Sequence, residues 1–404
     1  MPIRARRGKI LMNTFVQYTP TKVVFGENAE QSLEAILKER KVKSVLLHYG
    51  TSSAVKSGLI WRVKEQISRS GAECVELGGV KPNPRLSLVY EGISLCKEKN
   101  IDLILAVGGG SVIDSAKAIG MGAADGGDVW DFYSKKRVPQ NTLPVGVILT
   151  ISAAGSEMSN SSVISNEKEG LKRGLNTDLS RPVFALLNPA MTVSVPAYPT
   201  ACGVADIFMH TLERYLTGGE TLALTDSLAE ALMRSVITSG KKVMKNGEDL
   251  DARANLMWAG SLSHNGLTGC GTDGGDWCVH MLGHELSALY DTAHGAALTA
   301  VWGSWARYVY KSCLNRFHLF AVQVMGVRPN GTREELALKG IEAAEEWFSS
   351  MGLPTSIKQL KVNVTDEDLN LMADKCAAGC GGKKGSCKVL LRDDMLAIYK
   401  NALK

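Results

Sequence analysis

Residues 103–120, LILAVGGGSVIDSAKAIG, decide the fold. The apolar run 103–107 is short and sharply bounded, as a buried strand is. It passes without a break into Gly108, Gly109, Gly110 and Ser111, and a helix is predicted over 112–120. Strand, small-residue turn and helix in succession are the unit of a parallel α/β sheet. Small residues let backbone N–H groups approach an anion, and the helix N-terminus favours negative charge there. The turn is not G-x-G-x-x-G, because Ile113 stands where the third glycine would be.

The same alternation continues on both sides. Strands are predicted at 21–26, 42–48, 74–77, 145–149 and 183–187. Helices are predicted at 30–40, from the turn at 49–53 to about Ser70, and at 86–99. Beyond Pro196 helical periodicity takes over, with helices expected at 200–216, 222–240, 248–265, 277–289, 294–310, 313–325, 333–351, 365–374 and 392–402. An α/β nucleotide domain over 12–195 and an all-helical domain over 196–404 follow, with a ligand cleft between them. Residues 1–11 read as a disordered extension or an early start. Asp276 is expected to cap the helix at 277.

The helical half carries the chemistry. Residues 277–295, WCVHMLGHELSALYDTAHG, hold His280, His284 and His294. His280 and His284 share one helix face, and the apolar residues around them bury it. Neutral imidazole is the commonest protein ligand for a transition metal. A carboxylate is offered upstream, where Asp206 and His210 are four apart in an apolar helix. An ionised carboxylate there is costly unless paired or metal-bound. Two helices would thus supply Asp206, His210 and two of the downstream histidines. The zincin pattern is excluded, because Ala288 stands where its second histidine would be.

Composition bounds the rest. The 404 residues are 45% hydrophobic, enough for the core of two or three domains. The net charge of +5 is well mixed and forms no basic stripe, so no nucleic-acid partner is expected. No apolar run approaches the ~18 residues of a membrane span, so no membrane partner is expected either. Cysteine is odd in number and scattered, which points to reduced thiols and a cytoplasmic location. Cys376, Cys380 and Cys387 lack a C-x-x-C pair and a nearby histidine. They read as a glycine-rich loop, not a second metal site.

D-x-x-x-H, then H-x-x-x-H and a further histidine before glycine, resembles the iron-containing (group III) alcohol dehydrogenases, most of all their NADPH-dependent butanol dehydrogenase type. The resemblance runs over 19–403. It implies a dehydroquinate synthase-like two-domain plan and one divalent metal, Fe(II) by family habit with Zn(II) as the alternative. Asp206, His210, His280 and His294 would hold it. His284 falls near the substrate but off the metal, as a proton relay. The implied reaction is hydride transfer between a nicotinamide cofactor and a small alcohol/aldehyde pair, in a homodimer or larger homo-oligomer. Polyol oxidation of the glycerol dehydrogenase kind, or a non-catalytic metal- and nucleotide-binding role, are the rival readings.

The resemblance also marks cofactor residues: Asn83, Gly109, Gly110, Ser111, Asp114, Thr150, Ser152 and Lys172, the last reaching the ribose. The chain departs at Ala154, where the family has threonine, and at Asn188, where aspartate is common. The turn Gly50, Thr51, Ser52 and Ser53 follows a strand at which a dinucleotide fold places the adenosine ribose. NAD selection wants an acid there. None occurs between Tyr49 and Gly58, so NADP(H) is expected to be preferred over NAD(H).

Overall fold

The computed structural model describes residues 11–51 and 53–404. The expected extension therefore falls, except for Leu11, outside the described residues, as does Ser52. The strands are β1 (Lys22–Phe25), β2 (Ser44–Gly50), β3 (Glu73–Val80), β4 (Leu103–Gly108), β5 (Val145–Leu149), β6 (Ser161–Asn166), β7 (Leu171–Asn176) and β8 (Phe184–Leu187). The first half also holds helices α1 (Leu33–Glu39), α2 (Ser53–Lys56), α3 (Leu59–Ser70), α4 (Leu86–Glu98), α5 (Gly110–Asp125) and α6 (Trp130–Tyr133). The second half is helical: α7 (Ala197–Tyr215), α8 (Ala223–Lys245), α9 (Leu250–His264), α10 (Cys278–Tyr290), α11 (His294–Val309), α12 (Leu314–Leu319), α13 (Arg333–Ser350), α14 (Asp366–Gly379) and α15 (Arg392–Ala402). No described helix is long and apolar enough to cross a membrane.

The main sheet is parallel, in the order β1-β8-β5-β4-β2-β3. Every residue of β4 is buried, as expected of a strand covered on both faces. The chain steps outward from β2 to β3, then returns past β2 to β4 and continues toward the other edge. The order therefore reverses between β2 and β4, and the crevice at their carboxyl ends is where such folds bind ligands. Gly50 ends β2 and Gly108 ends β4.

Several expectations are corrected. The antiparallel hairpin β6–β7 was not foreseen, because its strands are polar and carry lysine and arginine. Lys117, on α5, lies in the core. It is 0% exposed, and its Nζ donates to Ser159 O, Ser159 Oγ and Ser161 O, which ties α5 to the hairpin. The helix expected over 313–325 starts as a 3-10 turn and ends as a π-helical one. Asp276 does not occupy the cap position, which is Trp277 in a left-handed conformation. Its carboxylate instead accepts from the amides of Cys278, Ser386 and Cys387. The thiols are not all free, since Cys313 and Cys387 form a disulfide with Cα atoms 5.3 Å apart.

One backbone contact sets the geometry of the helical half. Gly295, the second residue of α11, lies so close to α7 that a Cβ there would meet Cys202 O at 2.1 Å. Cys202 is one turn before Asp206, and Gly295 is next to His294, so this contact fixes one relative to the other. Helix propensity alone makes Gly→Ala stabilising by up to ~1 kcal/mol. The contact reverses that sign, because a backbone oxygen cannot yield as a side chain can. Gly295→Ala should destabilise by about 1–3 kcal/mol, read as a lower midpoint in chemical or thermal unfolding. An unchanged or raised midpoint would show that the two helices are not held this closely.

Candidate active site

α7 is buried from Thr200 to Tyr215, so an acid inside it needs a partner. Asp206 Oδ1 has no hydrogen-bond partner among the described residues. Around it lie His210 Nδ1 at 3.6 Å, His280 Nε2 at 3.7 Å and His294 Nε2 at 3.6 Å. His210 Nδ1 and His280 Nε2 are likewise buried without partners. These separations are too long for hydrogen bonds. They match the edges of a tetrahedron around an ion with bonds near 2.0–2.2 Å, about 3.3–3.6 Å. One oxygen and three imidazole nitrogens turned toward a common point fit a divalent transition metal. Ligand atoms of Asp206, His210 and His280 all lie within 4.8 Å of one another, and His294 joins them through Asp206.

The sequence reading missed Glu213, which completes this arrangement. It stands on α7, two turns beyond Asp206, and is 0% exposed. Its oxygens accept the N–H groups of Val279 and His280 at 3.0 Å each, so it caps the start of α10. Oε1 also engages His280 Nδ1. Anchoring that nitrogen turns Nε2 toward Asp206 and holds the ring at its angle. Burial works against a charged His280, but Glu213 and Asp206 outweigh it and raise its pKa to about 9. Burial pushes His210, His284 and His294 well below the ordinary imidazole range, with neighbouring positive charge adding to the effect. The signal that could have revealed Glu213 was a second acid on the Asp206 face of an apolar helix. His264 was also missed. Its ring lies 4.0 Å from that of His210, but it has no sequence neighbour that would flag it.

His284 is one turn past His280 and outside the cluster around Asp206. Its ring centroid is 5.3 Å from that of His294, and it lines the cleft. The cleft encloses about 1010 Å³ between the two halves of the chain. It runs from the histidines to Asn83, Gly109, Gly110, Ser111, Asp114 and Lys172. The glycine turn packs tightly against the strand β5 extension. A Cβ on Gly110 would come within 2.9 Å of Ala154 Cβ, so a small residue at 154 suits the approach.

The remaining cofactor candidates divide. Lys172 is buried at 5% exposure, and its Nζ donates to Asn83 Oδ1 at 2.8 Å. Burial lowers its pKa to about 8, against the pull of Asp206. Asn83 donates in turn to Asp291, which also pairs with Arg85 and closes the C-terminus of α10. Asp114 is committed to protein donors, Ser156 Oγ and the Val163 amide. Ser152 faces a separate small cavity against Thr200 and Val204. Thr150 donates its amide to Gly108 O, which joins β5 to the glycine turn. Gly50 and Thr51 lie at the carboxyl end of β2, away from the main cavity lining, and Ser53 opens α2.

Comparison with known proteins agrees with this arrangement. The family model for iron-containing alcohol dehydrogenase matches residues 20–189, and the model for the C-terminal part of the Fe-containing alcohol dehydrogenase family matches 200–403. NADH-dependent butanol dehydrogenase A of Clostridium acetobutylicum is 38% identical, over 97% of this chain and 100% of that protein. The NADPH-dependent aldehyde reductase YqhD of Escherichia coli is 34% identical, over 86% of this chain and 89% of that protein. The crystal structure of NADH-dependent butanol dehydrogenase A from Thermotoga maritima superposes with a TM-score of 0.93 at 36% identity, covering 97% of this chain and 99% of that one. A parallel nucleotide-type sheet, a mostly helical second half and matches across both halves lead to one conclusion: the chain belongs to the iron-containing alcohol dehydrogenase family, oxidoreductases acting on CH–OH groups.

Proposed function

We propose that this chain interconverts a small primary alcohol and its aldehyde by hydride transfer, using NADP(H) in preference to NAD(H). Asp206, His210, His280 and His294 hold one divalent cation, Fe(II) first and Zn(II) as the alternative. The observation that carries this reading is the unpartnered Asp206 Oδ1 with three imidazole nitrogens 3.6–3.7 Å away. When bound, the cation supplies Lewis acidity to the substrate oxygen, and the nicotinamide supplies or accepts the hydride.

The chain's own residues do the rest. Glu213 keeps His280 oriented. His284, low in pKa and open to the cleft, moves the alcohol proton between the substrate oxygen and solvent at its ring nitrogen. Gly109, Gly110 and Ser111 present backbone N–H groups to the pyrophosphate at the start of α5. Lys172 and Asn83 bind ribose hydroxyls. Residues 12–195 and 196–404 form the two domains. Exposed Phe15, Val16 and Tyr18, on the segment that precedes the edge strand β1 in the chain, support a homodimer. The seven free cysteines support a cytoplasmic location, and the Cys313–Cys387 disulfide weighs the other way.

Support for NADP(H) is the absence of an acid at the end of β2. Glu76, on the neighbouring strand, is engaged by Tyr49 and Lys64. The relatives named as NADH-dependent weigh the other way. A Cβ on Gly50 would meet only Val80 O, at an ordinary 3.6 Å, so Gly50→Asp tests cofactor choice without disturbing the fold. We expect kcat/KM in the wild type to favour NADPH, and Gly50→Asp to shift the ratio at least about tenfold toward NADH. A wild type that favours NADH would overturn the preference.

Three variants test the metal assignment. Asp206→Ala and His294→Ala should lose bound metal and nearly all activity, whereas His284→Ala should keep its metal and lose turnover. Full metal in Asp206→Ala, or none in His284→Ala, would mean that the ligands are misassigned. Glu213→Gln should weaken metal affinity ~10–100-fold, measured by competition with a chelator of known affinity. Affinity equal to the wild type would leave Glu213 a purely structural cap.

A further inference from the structure

Cysteine crowds one wall of the cleft. Cys376 and Cys380 are one turn apart at the end of α14, and both line the cavity. Cys376 is 2% exposed, while Cys380 is only partly covered. An i, i+4 pair on a helix has Cα atoms about 6 Å apart, within a disulfide's span, but Cβ atoms about 5–6 Å apart. Bridging therefore requires the last turn, which ends at the Cys380 cap, to tighten. Lys135 reaches the same turn, donating to Gly379 O at 3.2 Å, and Lys384 follows in the next loop.

The two thiols are not equivalent. The neighbouring Cys380 sulfur and then burial push the Cys376 thiol well above its ordinary range. Contact with Cys376 holds the Cys380 thiol below its ordinary range. Burial opposes this, and the lysine charges at 384 and 135 add to the lowering. A partly covered thiol on the cleft wall, between Lys135 and Lys384 and one helical turn from a buried thiol, is the pattern of a redox-sensing cysteine and its resolving partner. Cys387 is not part of the pair, since it is bonded to Cys313.

We propose that Cys380 and Cys376 form an oxidation site for hydroperoxides, with Cys380 as the attacking and Cys376 as the resolving thiol. The Cys380 thiolate attacks the terminal oxygen of the hydroperoxide. The O–O bond breaks, and the alkoxide leaves as the alcohol after taking a proton from water. Cys380 is then a sulfenic acid. The Cys376 sulfur attacks the Cys380 sulfur, an S–S bond forms, and the hydroxyl leaves with the Cys376 proton as water. In sum, two thiols and one hydroperoxide give one disulfide, one alcohol and one water. Closure draws in the turn whose carbonyls at Gly379 and Lys375 accept from Lys135 and Arg173, so it alters the wall of the cleft.

The test uses full-length, zinc-loaded protein, because iron would itself react with peroxide. The protein is treated with a slight excess of tert-butyl hydroperoxide and digested without reduction. Residues 376–383, CAAGCGGK, form a single tryptic peptide containing both thiols. It should appear lighter by two hydrogens and return to its original mass with dithiothreitol. In Cys376→Ser, dimedone should trap a sulfenic acid at Cys380. In Cys380→Ser, the peptide should stay unmodified. Cys380 should react at least about tenfold faster than Cys74, whose thiol burial pushes up to about 11. Oxidation of Cys376 in the Cys380→Ser protein, linkage of Cys380 to Cys278, or a rate no greater than that of Cys74 would each overturn the proposal. These readouts do not depend on turnover, so they stand apart from the alcohol dehydrogenase reading.

Discussion

A buried carboxylate with no protein donor is the constraint on which this structure turns. Asp206 sits in a fully apolar stretch of α7, and one of its oxygens has no hydrogen bond. Leaving an ionised group so placed costs several kcal/mol unless a positive charge compensates it. The imidazoles around it are kept neutral by burial, apart from His280, which Glu213 also supports. A cation at the shared point satisfies all of these groups at once. The helices that carry them are held in place by two contacts: α7 against α11 through Gly295 and Cys202, and α10 by its cap on Glu213.

The other half of the chain builds the proposed cofactor platform by a different device. Parallel strands bring Gly50 and the glycine turn after β4 to the same edge, at the reversal of strand order. The hairpin β6–β7 then carries Lys172 and Arg173 back over the cleft. There Lys172 meets Asn83, and Arg173 pairs with Glu285 on α10. These polar contacts, together with Asn83–Asp291, join the nucleotide half to the helix bearing His280 and His284. The proposed cofactor platform and the proposed metal centre are therefore positioned by the same residues.

Much of this was legible in the sequence, for physical reasons. The inner strands β4, β5 and β8 of the main sheet are continuous apolar runs, because both their faces are covered. The long helices show their period, and the histidines stand at helical spacing. What stayed hidden depends on tertiary partners. The β6–β7 strands have few apolar residues, since the hairpin is anchored by the buried Lys117 as well as by the packing of Ile164, Leu171 and Leu175. Glu213 looks like any helix-end acid until α10 is placed against it. His264 has no partner in sequence, and Cys313 and Cys387 are 74 residues apart. Asp276 was recognised as an acceptor at a helix start, but its remaining donors come from a loop more than a hundred residues later.

X-ray absorption at the metal edge of the zinc-loaded protein tests the central claim most directly. The account predicts a first shell of nitrogen and oxygen at about 2.0–2.2 Å, with the multiple-scattering pattern of three imidazoles and no sulfur. A sulfur scatterer near 2.3 Å, or a shell with fewer imidazoles than His210, His280 and His294 supply, would contradict it.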